Sequence, residues 1–91
     1  MNTFLVVLRK CSRTGDFGMV VRGGSEFNMS LYVLRLLCGG SASYDERLQP
    51  GDEILEINGR CTRTMKLNEA VENIKSRNTV SLLIRRTGFK I

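Results

Sequence analysis

Ninety-one residues, 42% hydrophobic and 25% charged with a single proline, suffice for one small globular domain and little more. No apolar run approaches the roughly 18 residues of a membrane span, and Phe4-Leu5-Val6-Val7-Leu8, closed by Arg9-Lys10, is too short for a secretory signal. The net charge of +5 is moderate and spread along the chain, and three scattered cysteines (Cys11, Cys38, Cys61) without any histidine argue against zinc or a disulfide framework.

Thr3 to Leu8, β-branched and apolar, reads as a first strand, and the basic stretch Arg9 to Gly15 as a loop. Asp16-Phe17-Gly18-Met19 follows. A glycine between two large apolar residues lets neighbouring backbone N–H groups converge into a concavity that suits an anion. If a strand and a groove-forming helix lie beside it, that anion is most naturally the carboxylate ending another chain. Met19 to Arg22 reads as a second strand stopped by Gly23-Gly24, and Leu31 to Cys38 as a third closed by Gly39-Gly40. Ser41 to Leu48 is expected to form one or two helical turns before Pro50-Gly51.

Glu53 to Ile57 alternates, and Asn58-Gly59 after it is a strong hairpin signal with Arg60-Cys61-Thr62 returning. The period then changes. Leu67, Ala70, Val71 and Ile74 form one apolar stripe on a helix from about Lys66 to Ser76, with Asn78 as a left-handed cap. Thr79 to Arg85 alternates and reads as a last strand. The order predicts an α+β, mainly β fold: a compact, partly open antiparallel barrel of five or six strands, capped by one short and one long helix.

These residues resemble the PDZ family over nearly the whole chain, a single domain with its core at about 4–86 and a tail at 87–91. Asp16-Phe17-Gly18-Met19 looks like the family's carboxylate-binding loop, Arg47 to Gly59 (RLQPGDEILEING) its most recognisable stretch, and Leu67 to Lys75 (LNEAVENIK) its groove helix. Within the family, residues Val21 to Leu36 look most like a PDZ repeat of the MAGI-type (inverted membrane-associated guanylate kinase) scaffolds. The resemblance implies capture of a partner's C-terminal peptide by strand addition between the strand at Met19 and the helix at Leu67. It assigns the carboxylate to the N–H groups of Phe17, Gly18 and Met19, and the groove and pocket to Val20, Val21, Leu67, Val71 and Ile74 beside Phe17 and Met19. Ala70 is read as core. Lys10 or Arg13 is a candidate to assist the carboxylate.

Two positions depart from the family pattern. Leu67 stands where histidine is commonest, and leucine cannot bond a Ser or Thr hydroxyl. An apolar residue two before the ligand's end is its complement, giving a hydrophobic-X-hydrophobic terminus. Asp16 stands where glycine is usual, and a carboxylate there weakens anion binding unless it faces solvent. The resemblance further implies partners among C-terminal tails of membrane receptors, channels or adhesion proteins, and a cytoplasmic site at the membrane or cell junctions within a larger scaffold.

Other readings are weaker. With no histidine and Asp52-Glu53 reading as a turn and strand edge, the chain is not expected to be an enzyme, and no cofactor or metal is expected. Arg9, Lys10, Arg13, Arg60, Arg63, Lys66, Arg85 and Arg86 could contact acidic lipid beside the groove, but without interleaved aromatics they do not suggest nucleic acid. A module that binds internal motifs or another domain is the alternative. The chain's own Phe89-Lys90-Ile91 is itself a hydrophobic-X-hydrophobic end and could fill the groove of a second copy. Ser12 and Thr14 are candidates for a charge-adding modification.

Overall fold

The computed structural model describes residues 2–10 and 16–86. Arg13, Ser12, Thr14, Cys11 and the tail Phe89-Lys90-Ile91 lie outside the described residues.

The strands are β1 (Asn2–Arg9), β2 (Met19–Gly24), β3 (Met29–Leu36), β4 (Glu53–Ile57), β5 (Arg60–Cys61) and β6 (Thr79–Arg86), with one α-helix, α1 (Leu67–Lys75). They form a six-stranded antiparallel sheet of order β1-β6-β4-β3-β2, with β5 paired to β4. The sheet curls around a core but does not close, so one edge of β1 and one edge of β2 end it.

Alternation builds the core. Val6 and Leu8 of β1 and Val80, Leu82 and Ile84 of β6 turn inward, where they meet Leu31, Val33, Ile54 and Ile57, all buried. Leu5 and Val7, on the opposite face of β1, are 53% and 61% exposed. Ala70 and Ile74 bury the inner stripe of α1 against this core, as the helical spacing requires. Asn58 and Gly59 adopt φ of 52° and 80°, the left-handed pair that a two-residue hairpin twisting with its strands demands. Asn58 is held further: its side chain accepts the Ser81 N–H at 3.0 Å and donates to the Asn73 carbonyl at 3.3 Å.

Several boundaries differ from the sequence expectation. β3 runs Met29–Leu36 rather than to Cys38, because the Leu37 N–H meets the Gly18 carbonyl at 2.8 Å and the chain then turns, the Gly40 N–H bonding the Leu37 carbonyl. Gly23 and Gly24 stay within β2 instead of ending it, with register shifts on both sides of Val21-Arg22. The short helix is a single 3-10 turn over Ser41–Tyr44. Asp45 leaves it in an extended conformation, and its carboxylate takes the Arg47 N–H, a local bond that competes with helix continuation. The left-handed asparagines among the described residues are Asn28 and Asn58, not Asn78, whose carbonyl instead accepts the Lys10 N–H at 2.7 Å.

Asp52 and Glu53 are structural. Asp52, buried, pairs with Arg86 at 2.9 Å and accepts the Gln49 N–H, while Glu53 pairs with Arg85 at 2.6 Å. The hydrogen bonds that Arg86 donates to the Asp52 carboxylate raise its pKa above the ordinary value, with burial opposing. The Arg86 guanidinium also lies 5.2 Å from the Phe4 ring centroid, a cation–π contact between β6 and β1.

Candidate functional site

The loop before β2 is fixed by what its carbonyls do. The Phe17 carbonyl accepts the Ala42 N–H at 2.9 Å, and the Gly18 carbonyl accepts the Leu37 N–H at 2.8 Å. In a trans peptide the C=O and the following N–H point in opposite directions, and no described peptide bond is cis. Both carbonyls are turned toward the segment following β3, so the N–H groups of Gly18 and Met19 are turned away from it.

Glycine is required here twice. Gly18 has φ +69°, and a Cβ on it would stand 2.7 Å from the Cα of Gly40. A Cβ on Gly40 would stand 2.6 Å from the Cα of Gly18 and 2.9 Å from the Phe17 oxygen. The two backbones lie against each other, which holds the loop at the end of β2. Gly39-Gly40 reads in the sequence only as a strand terminator. That Gly40 serves this contact has no local signal, since its partner lies far earlier in the chain.

A cavity of about 50 Å³ opens beside this loop, lined by Asp16, Phe17, Met19, Val21, Val71, Ile74 and Lys75. Five of the residues assigned to the loop and groove from sequence thus meet: Phe17 from the loop, Met19 and Val21 from β2, and Val71 and Ile74 from α1. Met19 and Val21 share a face, as strand alternation predicts. Val20 is half-buried and is not part of the lining.

Leu67 lies at the other end of the same helix face. It is partly buried against the core, and a Cβ on Gly24 would come within 2.8 Å of its nitrogen, so α1 begins in contact with the end of β2. That junction is laced by the Leu67 N–H donating to the Glu26 carboxylate at 3.0 Å and by the Ser25 N–H donating to the Met65 carbonyl at 2.9 Å. Between junction and cavity runs the outer edge of β2, the end of the sheet.

Two charged residues were not foreseen in these positions. Lys10, a candidate carboxylate partner, donates its Nζ to the Lys75 carbonyl at 2.7 Å and so caps the C-terminus of α1. Lys75 itself lines the cavity. Four residues on from Val71, it continues that side of α1, so helical spacing does bring it beside the stripe, and only its charge kept it out of an apolar pattern. Asp16 also lines the cavity, and its Oδ1 accepts the Gly18 N–H at 3.0 Å.

A larger, shallower basin of about 560 Å³ lies elsewhere, over the outer face of β4 and β6 beside the β2–β3 turn. Glu53 and Arg85 within it are already paired to each other. It touches neither the amide loop nor the edge of β2, and its size does not make it the better candidate.

Comparison with known proteins agrees with this architecture. A family profile described as PDZ domain matches residues 5–85. The chain is 43% identical over 72 residues to "Membrane-associated guanylate kinase, WW and PDZ domain-containing protein 3" of Rattus norvegicus, and 42% identical over the same length to that of Xenopus tropicalis. These matches cover 79% of this chain but only 5% and 6% of the relatives, so the chain spans about one-twentieth of their length. Among solved structures, Dlg1 PDZ2 of the choanoflagellate Monosiga brevicollis superposes with a TM-score of 0.85 at 17% identity, covering 94% of this chain and all (100%) of the other. Wild-type TIP-1 superposes with a TM-score of 0.79 at 26% identity, covering 93% of this chain and 87% of the other.

Proposed function

The chain belongs to the PDZ family, and on that premise we propose that it binds the free carboxyl terminus of a partner protein laid as an added strand between β2 and α1. PDZ domains are protein-interaction modules, not enzymes, and binding of partner C-terminal tails is general among them. The observation that carries the reading for this chain is the small, mostly apolar cavity that opens beside the Phe17-Gly18-Met19 loop, at the end of an open strand edge.

The N–H groups of Phe17, Gly18 and Met19 hold the terminal carboxylate, each charge-assisted bond contributing roughly 1.5–3 kcal/mol at most. Among the described residues, Lys75, which lines the cavity, is a cation placed to assist, since Lys10 is engaged at the end of α1. The cavity of about 50 Å³ takes the last side chain. A water needs about 10–15 Å³ on the same measure, so there is room for a few heavy atoms, which suits Val, Leu or Ile over an aromatic ring. Burying such a group contributes about 1.5–3 kcal/mol. After the cost of ordering the peptide, micromolar affinity is expected, about −8 kcal/mol.

Leu67 selects the residue two before the end. Two residues of an extended ligand span about 6.8 Å, and four residues of helix about 6 Å. A ligand whose last side chain sits by Val71 and Ile74 therefore sets its third-last beside Leu67. A hydroxyl buried there has no partner, at a cost of roughly 1–3 kcal/mol, so a hydrophobic-X-hydrophobic terminus is preferred. The register pairs Met19 with Leu36 and bonds the Leu37 N–H to the Gly18 carbonyl, which turns the backbone of Val20 toward β3 and leaves those of Met19 and Val21 on the free edge for the ligand, with the Val20 side chain beside it.

The relatives' printed name, membrane-associated with WW and PDZ domains, supports placing this domain in a larger scaffold near membranes, with tails of receptors, channels or adhesion proteins as partners. Among the described residues no helix is long and apolar enough to cross a membrane. Acidic-lipid contact has less support, because Arg85 and Arg86 are held by Glu53 and Asp52.

The test is titration calorimetry with one hydrophobic-X-hydrophobic peptide as the free acid and as its amide. The acid is expected to bind at least about tenfold tighter, the loss of one or more charge-assisted bonds. Equal affinities would overturn terminal capture and favour an internal motif.

A further inference from the structure

Asp16 places a carboxylate at the mouth of a site proposed to receive one. Its Oδ1 accepts the N–H of Gly18 at 3.0 Å, and its side chain lines the same cavity as Phe17 and Met19. The amide it takes is the middle one of the three that the proposed function assigns to the ligand. An N–H carries one proton and makes one well-aligned bond. Two carboxylates brought within about 4–6 Å of each other also repel. The Asp16 side chain and a guest carboxylate therefore cannot both be satisfied at Gly18.

We propose that Asp16 is an internal competitor for the carboxylate loop: in the free domain its side chain occupies the Gly18 amide, and a guest terminus binds by displacing it. The inference rests on the terminal-capture reading above. It makes Asp16 a residue that limits affinity for C-terminal ligands in particular, because a ligand with no terminal carboxylate does not call on that amide. The same bond could instead preorganise the loop, as aspartate side chains do when they bond the amide two residues on. The two roles predict opposite signs. Removing a competitor tightens binding, and removing a brace loosens it.

The experiment compares wild type with Asp16→Ala and Asp16→Asn by calorimetry, using the acid and amide forms of one hydrophobic-X-hydrophobic peptide. In parallel, sodium acetate is titrated while the Gly18 amide is followed by NMR. Asp16→Ala is expected to bind the acid about tenfold tighter with the amide's affinity unchanged, tenfold being the worth of one ordinary hydrogen bond. Asp16→Asn, which keeps an acceptor but loses the charge, falls between and preserves the side chain's shape should alanine disturb the loop. Acetate is expected to move the Gly18 amide at lower concentration in both variants than in wild type. Unchanged or weaker acid binding in the variants overturns the proposal, as does acetate acting equally on all three proteins. If wild type binds acid and amide alike, terminal capture fails, and the acetate comparison still decides whether Asp16 blocks the loop.

Discussion

Gly40 offers a cleaner probe of the amide loop than Gly18 does. Gly40 has φ −83°, a conformation any residue adopts, so substitution there changes only the contact with Gly18 and the Phe17 oxygen. At Gly18, with φ +69°, backbone strain would be mixed with the clash. Gly40→Ala is expected to destabilise the domain by about 1–3 kcal/mol as the two backbones part, read from the urea midpoint. It should also weaken the free-acid peptide more than the amide, because the loop that presents the amides moves. Full stability with unaltered binding would show that the contact does not set the loop. Leu67 invites the complementary test of specificity. Leu67→His supplies a ring nitrogen for a hydroxyl, so on a C-terminal peptide array preference two residues before the end should swing toward Ser or Thr, by roughly tenfold in the affinity ratio. An unmoved preference would remove Leu67 from the groove.

Among the elements, the β4–β5 hairpin separates backbone strain from packing. Gly59 has φ +80°, yet a Cβ there would meet nothing within 4 Å. Gly59→Ala should thus cost only the strain of a left-handed alanine, about 1–2 kcal/mol, with peptide affinity untouched; a drop in affinity would mean the hairpin reaches the groove. This turn was legible because Asn-Gly acts through its own dihedrals. So were β4, β6 and α1, whose alternation and 3.6-residue stripe are local signals of burial, and with them the apolar wall of Phe17, Met19, Val21, Val71 and Ile74. What could not be read was decided by partners far along the chain. β3 ends where Leu37 finds Gly18, Lys10 caps α1 at Lys75, and Asn78 gives its carbonyl to Lys10 rather than turning left-handed. Asp16 was legible as a misplaced charge but not as an occupant of Gly18, because that depends on a side-chain rotamer.

At the scale of the whole molecule, the proposed groove lies between the terminal strand of the sheet and a helix seated on its core, so a ligand bound there would join elements that global unfolding must separate. The Asp52–Arg86 pair anchors a corner outside that cavity, where β6 meets the turn before β4: Asp52 is buried and Arg86 about a third exposed, with side-chain exposures of 3% and 34%. Asp52→Ala should cost about 2–3 kcal/mol, below the range for a fully buried pair because water can reach the Arg86 guanidinium and its bond to the Arg47 carbonyl remains, measured by urea unfolding. Binding should still add to whatever stability remains, since a ligand that prefers the folded chain stabilises it by RT ln(1 + [L]/Kd). At a hundredfold excess over Kd this is about 2.7 kcal/mol, which for a domain of this size raises the Tm by roughly 10–20 °C. The free-acid peptide is therefore expected to shift the melting curves of wild type and Asp52→Ala by similar amounts, and the amide at the same concentration to shift both far less. Equal shifts from acid and amide would mean that the stabilising contact is the strand edge alone. A shift lost only in Asp52→Ala would mean that the corner at Arg86 and the groove are one cooperative unit, coupled through β6 and β4 rather than independent.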